Sequence, residues 1–252
     1  MLVMLHGFSC DVRLWEPLIA RLKDSFTIVA FDMRGSGRSD KPEEPYSIET
    51  LTGDAASFIE EVCKEAVDVL GFSLGGIVGM DLAGRMPELV KRLVLVSTLP
   101  SFSGPFPPSS HTRELFRRTD VSPELLTEVY ETIFGSSYKK RVSAGEYIEF
   151  RMNNENPQPL NAYLNQLHTL EAADVRKSVP LISAPTLIIA GKEDQVVSPE
   201  NSSWLGEKIP GSKLTLFEGA GHMIPIEMPD QLAERIKTIK NDSINLFSVF
   251  CI

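Results

Sequence analysis

A serine stands among glycines in "VDVLGFSLGGIVG", residues 67–79, at an abrupt change of pattern. Gly71 and Gly75 flank Ser73 as G-x-S-x-G, where a β-branched run gives way to a helical pattern with no loop between. A side chain at the tip of such a turn sits on strained backbone, so its neighbours must be small. Gly76 and Gly79 then allow the helix to pack closely on a sheet. The turn would lift the Ser73 hydroxyl above the sheet's C-terminal edge, over a helix N-terminus that favours negative charge. The chemistry this would serve is nucleophilic attack. Glycine–serine turns are common, so the motif alone leaves the matter open.

A hydroxyl is a weak nucleophile and needs a base, itself oriented by an acid. The chain has four histidines, His6, His111, His168 and His222. His222 lies in "EGAGHMIPIEMP", a glycine-rich loop directly after the strand-like "KLTLF". His111 and His168 fall on helical patterns in the middle of the chain, where a solvated or packed histidine is the ordinary case, and His6 reads as a loop-shaping residue. Asp194, in "LIIAGKEDQVVSP", follows another strand, with Glu193 as the near alternative. Taken alone, Asp194 has a turn or helix-capping aspartate as a serious rival. Taken together, Ser73, Asp194 and His222 fall at the edge of a parallel sheet where α/β folds place their sites. Acyl transfer also needs donors for a developing oxyanion. "VMLHGFS" offers the Phe8 N–H to pair with that of Leu74.

The elements that must position these groups are legible as alternation. Apolar β-rich runs recur at Leu2–Leu5, Thr27–Phe31, Val67–Leu70, Leu93–Ser97, Thr186–Ala190 and Lys213–Phe217, separated by amphipathic stretches near 14–23, 48–64, 75–86, 199–209 and 229–239. That predicts a mostly parallel, doubly wound sheet covered on both faces. The alternation breaks after Pro100. Helical patterns at 111–118, 123–134, 145–154 and 158–171 follow a proline-rich exit, with Pro123 and Pro159 suited to helix starts. The expected organisation is a core of residues 1–100 and 174–240, a helical cap of 101–173, and a tail of 241–252. Cap side chains such as Leu115, Phe116, Leu125, Leu126, Tyr130 and Phe134 exceed what short helices need for their own packing. Some are expected to roof an apolar pocket above Ser73.

Composition narrows the function classes. A 252-residue chain with 42% hydrophobic residues can bury a sizeable core. The net charge of −9 argues against nucleic acid or an anionic membrane as partner. No run approaches the roughly 18 apolar residues of a membrane span. "MLVML" reads as a buried strand rather than a signal peptide. Cys10, Cys63 and Cys251 imply no disulfide framework, so a reducing cytoplasm is expected. Cys10 and the histidines lack metal-ligand spacing, and no metal or other cofactor is expected.

Through "HGF" at 6–8, "FDMRGSGRSD" at 31–40, "GFSLGG" at 71–76, "GKED" at 191–194 and "GAGH" at 219–222, the chain resembles the α/β-hydrolase superfamily, in particular its capped serine hydrolases. The motifs fall in family order across nearly the whole chain. The resemblance implies Ser73 as nucleophile, His222 as base, Asp194 as acid, and Phe8 and Leu74 as oxyanion donors. It implies a carboxylesterase acting on a small-molecule ester. Enol-lactonase, carbon–carbon bond hydrolase and perhydrolase activities share the same triad, and a hydrolase-fold receptor is the rival of another class. "DMRGSGRS" looks like a structural loop and lacks the third glycine of a dinucleotide fingerprint. Two departures stand out. The resemblance implies a hairpin before the "HGF" strand, and the expectation is that this chain lacks it, which would leave Thr27–Phe31 as an edge strand. The apolar tail Leu246–Ile252 has no family counterpart. A homodimer or the tail covering that edge is the expectation these departures raise.

Overall fold

Apolar segments of β-branched and aliphatic residues dominate the centre of the molecule, as strands buried on both faces must. The computed structural model describes residues 1–242; the tail segment Leu246–Ile252 lies outside the described residues. In chain order the elements are β1 (Leu2–Leu5), α1 (Glu16–Leu22), β2 (Ile28–Ala30), α2 (Ile48–Phe58), β3 (Val67–Phe72), α3 (Leu74–Arg85) and β4 (Val90–Val96). Then come α4 (Ser110–Arg117), α5 (Pro123–Ile133), α6 (Ser136–Lys139), α7 (Ala144–Met152), α8 (Leu160–Ala172), β5 (Thr186–Gly191), α9 (Pro199–Lys208), β6 (Lys213–Phe217), α10 (Ile224–Glu227) and α11 (Pro229–Asp242). Among these residues no helix is long and apolar enough to cross a membrane.

The six strands form one parallel sheet in the order β2-β1-β3-β4-β5-β6. β1 and β3 are buried along their whole length, whereas β2 is short, half-buried and at the sheet's edge. The chain goes one way from β1 to β2 and the other way from β1 to β3. The β1–β3 junction is therefore the switch point at which parallel sheets open a crevice.

Differences from the expected elements have local causes. β3 runs on through Phe72 because Gly71 and Phe72 pair with Leu95 and Val96. β4 starts at Val90 and stops before Ser97, whose φ of 47° takes it out of extended geometry. The helical stretch from 48 narrows to α2 and a wider turn at Ile59–Cys63, closed by Lys64 in left-handed geometry. Two one-turn helices, α6 and α10, are too short for periodicity to reveal. In "DMRGSGRS", the buried Asp32 carboxylate accepts N–H bonds from Val12 at 2.8 Å and Arg38 at 2.9 Å, bracing the loop rather than facing a ligand.

Helices α4 to α8 intervene between β4 and β5 and lie over the C-terminal edge of the sheet. Their starts follow ordinary capping: the Ser122 hydroxyl accepts from the Leu125 N–H with Pro123 at the first helical position, and Ser143 and Glu146 form a reciprocal box.

Candidate active site

Leu5 of β1 and Gly71 of β3 are register partners, so the segments leaving these strands emerge side by side. Ser73 sits between β3 and α3 with φ 51° and ψ −117°, a conformation that L-residues rarely hold. A Cβ on Gly71 would lie 2.4 Å from the Gly75 carbonyl oxygen, and one on Gly75 would lie 2.1 Å from that of Leu5. Backbone cannot yield at such distances, which is why the turn demands glycine. The strained residue is held at both ends. Its N–H donates to the Val96 carbonyl at 3.0 Å, and the Thr98 hydroxyl donates to its carbonyl at 2.7 Å. Leu74 is the first residue of α3, so its N–H has no carbonyl within the helix to bond. Phe8 follows β1 at the same junction.

His222 has further to come. Its strand, β6, is three places from β3, roughly 14 Å at ordinary strand spacing. The loop after β6 folds back over the end of β5, where the Glu193 N–H donates to the Ala220 carbonyl at 2.9 Å. The His222 N–H donates to the Ile133 carbonyl at the end of α5, 2.8 Å away, which fixes the loop from the cap side. The imidazole then lies between the other two groups: Nε2 is 3.2 Å from Ser73 Oγ and Nδ1 is 2.8 Å from Asp194 Oδ2. Asp194 Oδ1 accepts from the Val196 and Val197 N–H groups at 2.9 and 2.8 Å. With the carboxylate as acceptor, Nδ1 carries the proton and Nε2 faces the serine as an acceptor. All three residues are buried, at 6–7% exposure, and the imidazole packs on Phe72 at 5.0 Å between ring centres.

The neighbouring candidates go elsewhere. Glu193 turns outward, and its two oxygens take the Ser136 N–H at 2.6 Å and hydroxyl at 2.8 Å. His6 is fully buried, with Nδ1 2.9 Å from the Gly7 carbonyl and Nε2 accepting from the Met33 N–H at 2.9 Å. Burial pushes its pKa down, keeping it neutral while it braces the loop after β1. His111 is exposed 3.8 Å from Glu128, and His168 is exposed on α8.

Sequence reading passed over Glu227, although it lies in the same stretch as His222. It is 2% exposed, and its Oε2 accepts from the Gly135 N–H at 2.8 Å and the Gly221 N–H at 2.9 Å. One carboxyl thus ties the loop after α5 to the residue before His222. No periodicity or motif marks it, because its role exists only once the two loops meet. Burial pushes this carboxyl up, against the backbone N–H groups that hold it down. A carboxyl with a raised folded value favours the fold below its unfolded value, and that contribution is lost as pH rises through the folded one. Glu227→Gln keeps an acceptor and removes the charge, so its stability relative to the parent should improve as pH rises above the ordinary carboxylate range. Glu227→Ala, which orphans two buried N–H groups, should lose about 2 kcal/mol or more at any pH. Thermal unfolding of both variants across pH 4–9 checks this, and parallel pH curves for parent and Gln variant would contradict it.

Above Ser73 opens a cavity of about 340 Å³. Leu115 and Phe116 of α4 and Leu125 and Leu126 of α5 line it, together with Phe8 and Phe72. Tyr130 and Phe134 do not. They pack on each other at 5.3 Å between ring centres, and Phe134 stacks on Tyr138 at 4.4 Å, as part of the main hydrophobic cluster. Cys10 also lines the cavity, and burial pushes its thiol up to about 11, so it is no rival thiolate at neutral pH.

Residues 2–235 match the model of the Alpha/beta hydrolase family. The chain is 27% identical over 240 residues to "Putative carbamate hydrolase RutD" of Pseudomonas savastanoi pv. phaseolicola, covering 91% of this chain and 89% of that one. It is 27% identical over 237 residues to the pimeloyl-[acyl-carrier protein] methyl ester esterase of Nitrosomonas europaea, covering 91% of each. Among solved structures, the enol-lactonase of Burkholderia xenovorans LB400 superposes with a TM-score of 0.82 at 25% identity, over 95% of this chain and 90% of that one. The family match spans the sheet, helices α4 to α8 and all three hydrogen-bonded side chains, and the chain belongs to the alpha/beta hydrolase family.

Proposed function

We propose that the protein is a serine hydrolase that cleaves carboxylic esters of small to medium, largely apolar substrates through an acyl-enzyme. The observation that carries this reading is the hydrogen-bonded series Ser73–His222–Asp194 at the floor of an apolar cavity. Ser73 Oγ attacks the ester carbonyl as His222 Nε2 accepts its proton. The Nδ1–H stays bonded to Asp194, whose carboxylate stabilises the imidazolium that forms. The Leu74 and Phe8 N–H groups receive the oxyanion, and the helix N-terminus at Leu74 adds its favourable dipole. His222 returns the proton to the leaving alcohol. Water then repeats the sequence in reverse, freeing the acid and Ser73. The relatives named as a methyl ester esterase and an enol-lactonase support acyl–oxygen cleavage; the carbamate hydrolase name marks the alternative acyl group. The test is turnover of p-nitrophenyl esters by purified protein. Hydrolysis that disappears with Ser73→Ala supports the reading, and binding of such esters without turnover would replace it with a receptor.

The cavity's volume lies at the small end of ligand pockets. Leu125 and Leu126 form part of its roof, so enlarging them should shorten the acyl chain accepted. Each methylene excluded forfeits about 0.8 kcal/mol, roughly fourfold in kcat/KM. In Leu126→Trp the octanoate-to-acetate ratio of kcat/KM should fall by about tenfold or more. A uniform loss at every chain length, with lowered thermal stability, would assign Leu126 to packing alone.

A further inference from the structure

The loop that carries Phe8 passes directly beside the serine: a Cβ on Gly7 would lie 3.2 Å from the Ser73 Cβ. The Cys10 N–H donates to the Gly7 carbonyl at 3.2 Å, closing a tight turn with Phe8 and Ser9 at its centre. Ser9 takes a φ of 55°, in the left-handed region that turns usually give to glycine. A serine keeps that conformation only where its surroundings over-determine it. Two side chains from helices that follow β4 do so. Arg151 of α7 donates twice, from Nη1 to the Ser9 carbonyl at 2.9 Å and from Nη2 to the Ser9 hydroxyl at 3.1 Å. The planar fork of a guanidinium fixes a direction as well as a distance. Gln166 of α8 is fully buried, and its Oε1 accepts the Ser9 N–H at a long 3.4 Å. Its Nε2 donates to the Arg34 carbonyl at 2.8 Å and to the Ser36 hydroxyl at 3.0 Å, so the amide is itself held in place.

The N–H, carbonyl and hydroxyl of Ser9 are thus all engaged by α7 and α8. The Phe8 ring is held from the same side, 4.8 Å from Tyr163 of α8 and 5.5 Å from Phe116 of α4 between ring centres. Arg151 calls for no ligand of its own, since the Asp11 carboxylate acts on its charge. We propose that Arg151 and Gln166 are positioning residues for the reaction at Ser73: by holding Ser9 in left-handed geometry they keep the Phe8 N–H where the oxyanion forms. This rests on the hydrolase reading and deepens it. The two oxyanion donors are then placed by different means, Leu74 by the start of α3 and Phe8 by helices outside the sheet. A donor gains far more from the oxyanion than from the neutral ester carbonyl. Loosening Phe8 should therefore cost the transition state and spare the bound ester.

The test is steady-state kinetics of folded variants with p-nitrophenyl acetate. Arg151→Met removes both donated bonds and keeps an unbranched side chain. It should lower kcat by about 10- to 100-fold, short of the roughly 10²- to 10³-fold for deleting an oxyanion donor outright, with KM changed by less than about threefold. Arg151→Lys retains one donor and should recover part of the loss. Arg151 lines the cavity whereas Gln166 does not, so Gln166→Met separates positioning from contact with the substrate. There kcat should fall by about 3- to 10-fold, again at nearly constant KM. A trifluoromethyl ketone gives the second readout. Its carbonyl carbon takes Ser73 Oγ while the Ser73 proton passes to His222, leaving an oxyanion on the adduct. In each variant its inhibition constant should rise by the same factor by which kcat/KM falls, a parallel that a general loss of packing would not produce. Thermal unfolding checks that each variant is folded, and should Arg151→Met fail, Arg151→Lys and Gln166→Met answer alone. Parental kcat in the folded variants, a loss carried by KM, or a ketone bound as tightly as by the parent would overturn the proposal and leave the hydrolase reading standing. A parent that turns over no ester would remove that reading and the proposal with it.

Discussion

Replacing Ser73 with alanine is expected to lower ester turnover by about 10⁴- to 10⁶-fold while leaving the fold intact. The size follows from what is removed and what stays. Without Oγ there is no acyl-enzyme, and a water must attack directly. His222 remains bonded to Asp194, and the N–H groups of Leu74 and Phe8 remain in place, so the residual rate is that of a positioned water next to a base. Stability should change by less than about 1 kcal/mol, because alanine meets the same backbone strain as serine and the hydroxyl's bond to His222 is a long one at 3.2 Å. Steady-state kinetics with p-nitrophenyl acetate, alongside thermal unfolding of parent and variant, measures both quantities. A variant with near-parental turnover would show that Ser73 is not the nucleophile, whatever its position beside His222.

Gly75→Ala should be among the most damaging single-methyl additions in the chain, costing about 3 kcal/mol or more. The added carbon would lie 2.1 Å from the Leu5 carbonyl oxygen and 2.6 Å from that of His6, so β1 and α3 would have to part. For a chain of this size the loss corresponds to a fall in Tm of roughly 6–12 °C. Parting those elements would also separate Phe8 from Leu74, so activity should fall further than stability alone explains. Gly53 supplies the contrast. It lies inside α2 with no atom within 4 Å of the place an added methyl group would take, and Gly53→Ala should stabilise by roughly 0.5–1 kcal/mol through helix propensity. Calorimetric unfolding of the two variants decides the point; similar effects in both would mean that close packing at the turn around Ser73 is not what Gly75 provides.

Much of the frame can be read from local pattern. The six apolar runs and the helices between them are set by burial on both faces of a parallel sheet, a demand that shows in composition and period. The strand–serine–helix turn is equally local, because Gly71, Gly75 and Ser73 are forced together by sterics within a few residues. The longer helices between β4 and β5 are legible from their prolines and capping serines. α6 and α10 are not, since one turn of helix carries no period. Glu227 and Thr98 carry no such mark either. Each acts through long-range hydrogen bonds, and neither composition nor spacing encodes such a meeting.

The sequence by itself determined which groups were candidates and that all lie just beyond strand ends: Ser73 after β3, Asp194 after β5, His222 after β6 and Phe8 after β1. A parallel sheet then puts them on one edge, because every strand points the same way. The tertiary structure alone decided that they touch. Strands β3 and β6 are too far apart for their loops to meet unaided, and the His222 loop closes the gap only by crossing β5 under the hold of Ile133 and Glu227. Only there, too, was Asp194 separated from Glu193: adjacent residues beyond a strand point opposite ways, one to His222 and the other to Ser136. The bond between Arg151 and Ser9, 142 residues apart, was likewise decided in three dimensions.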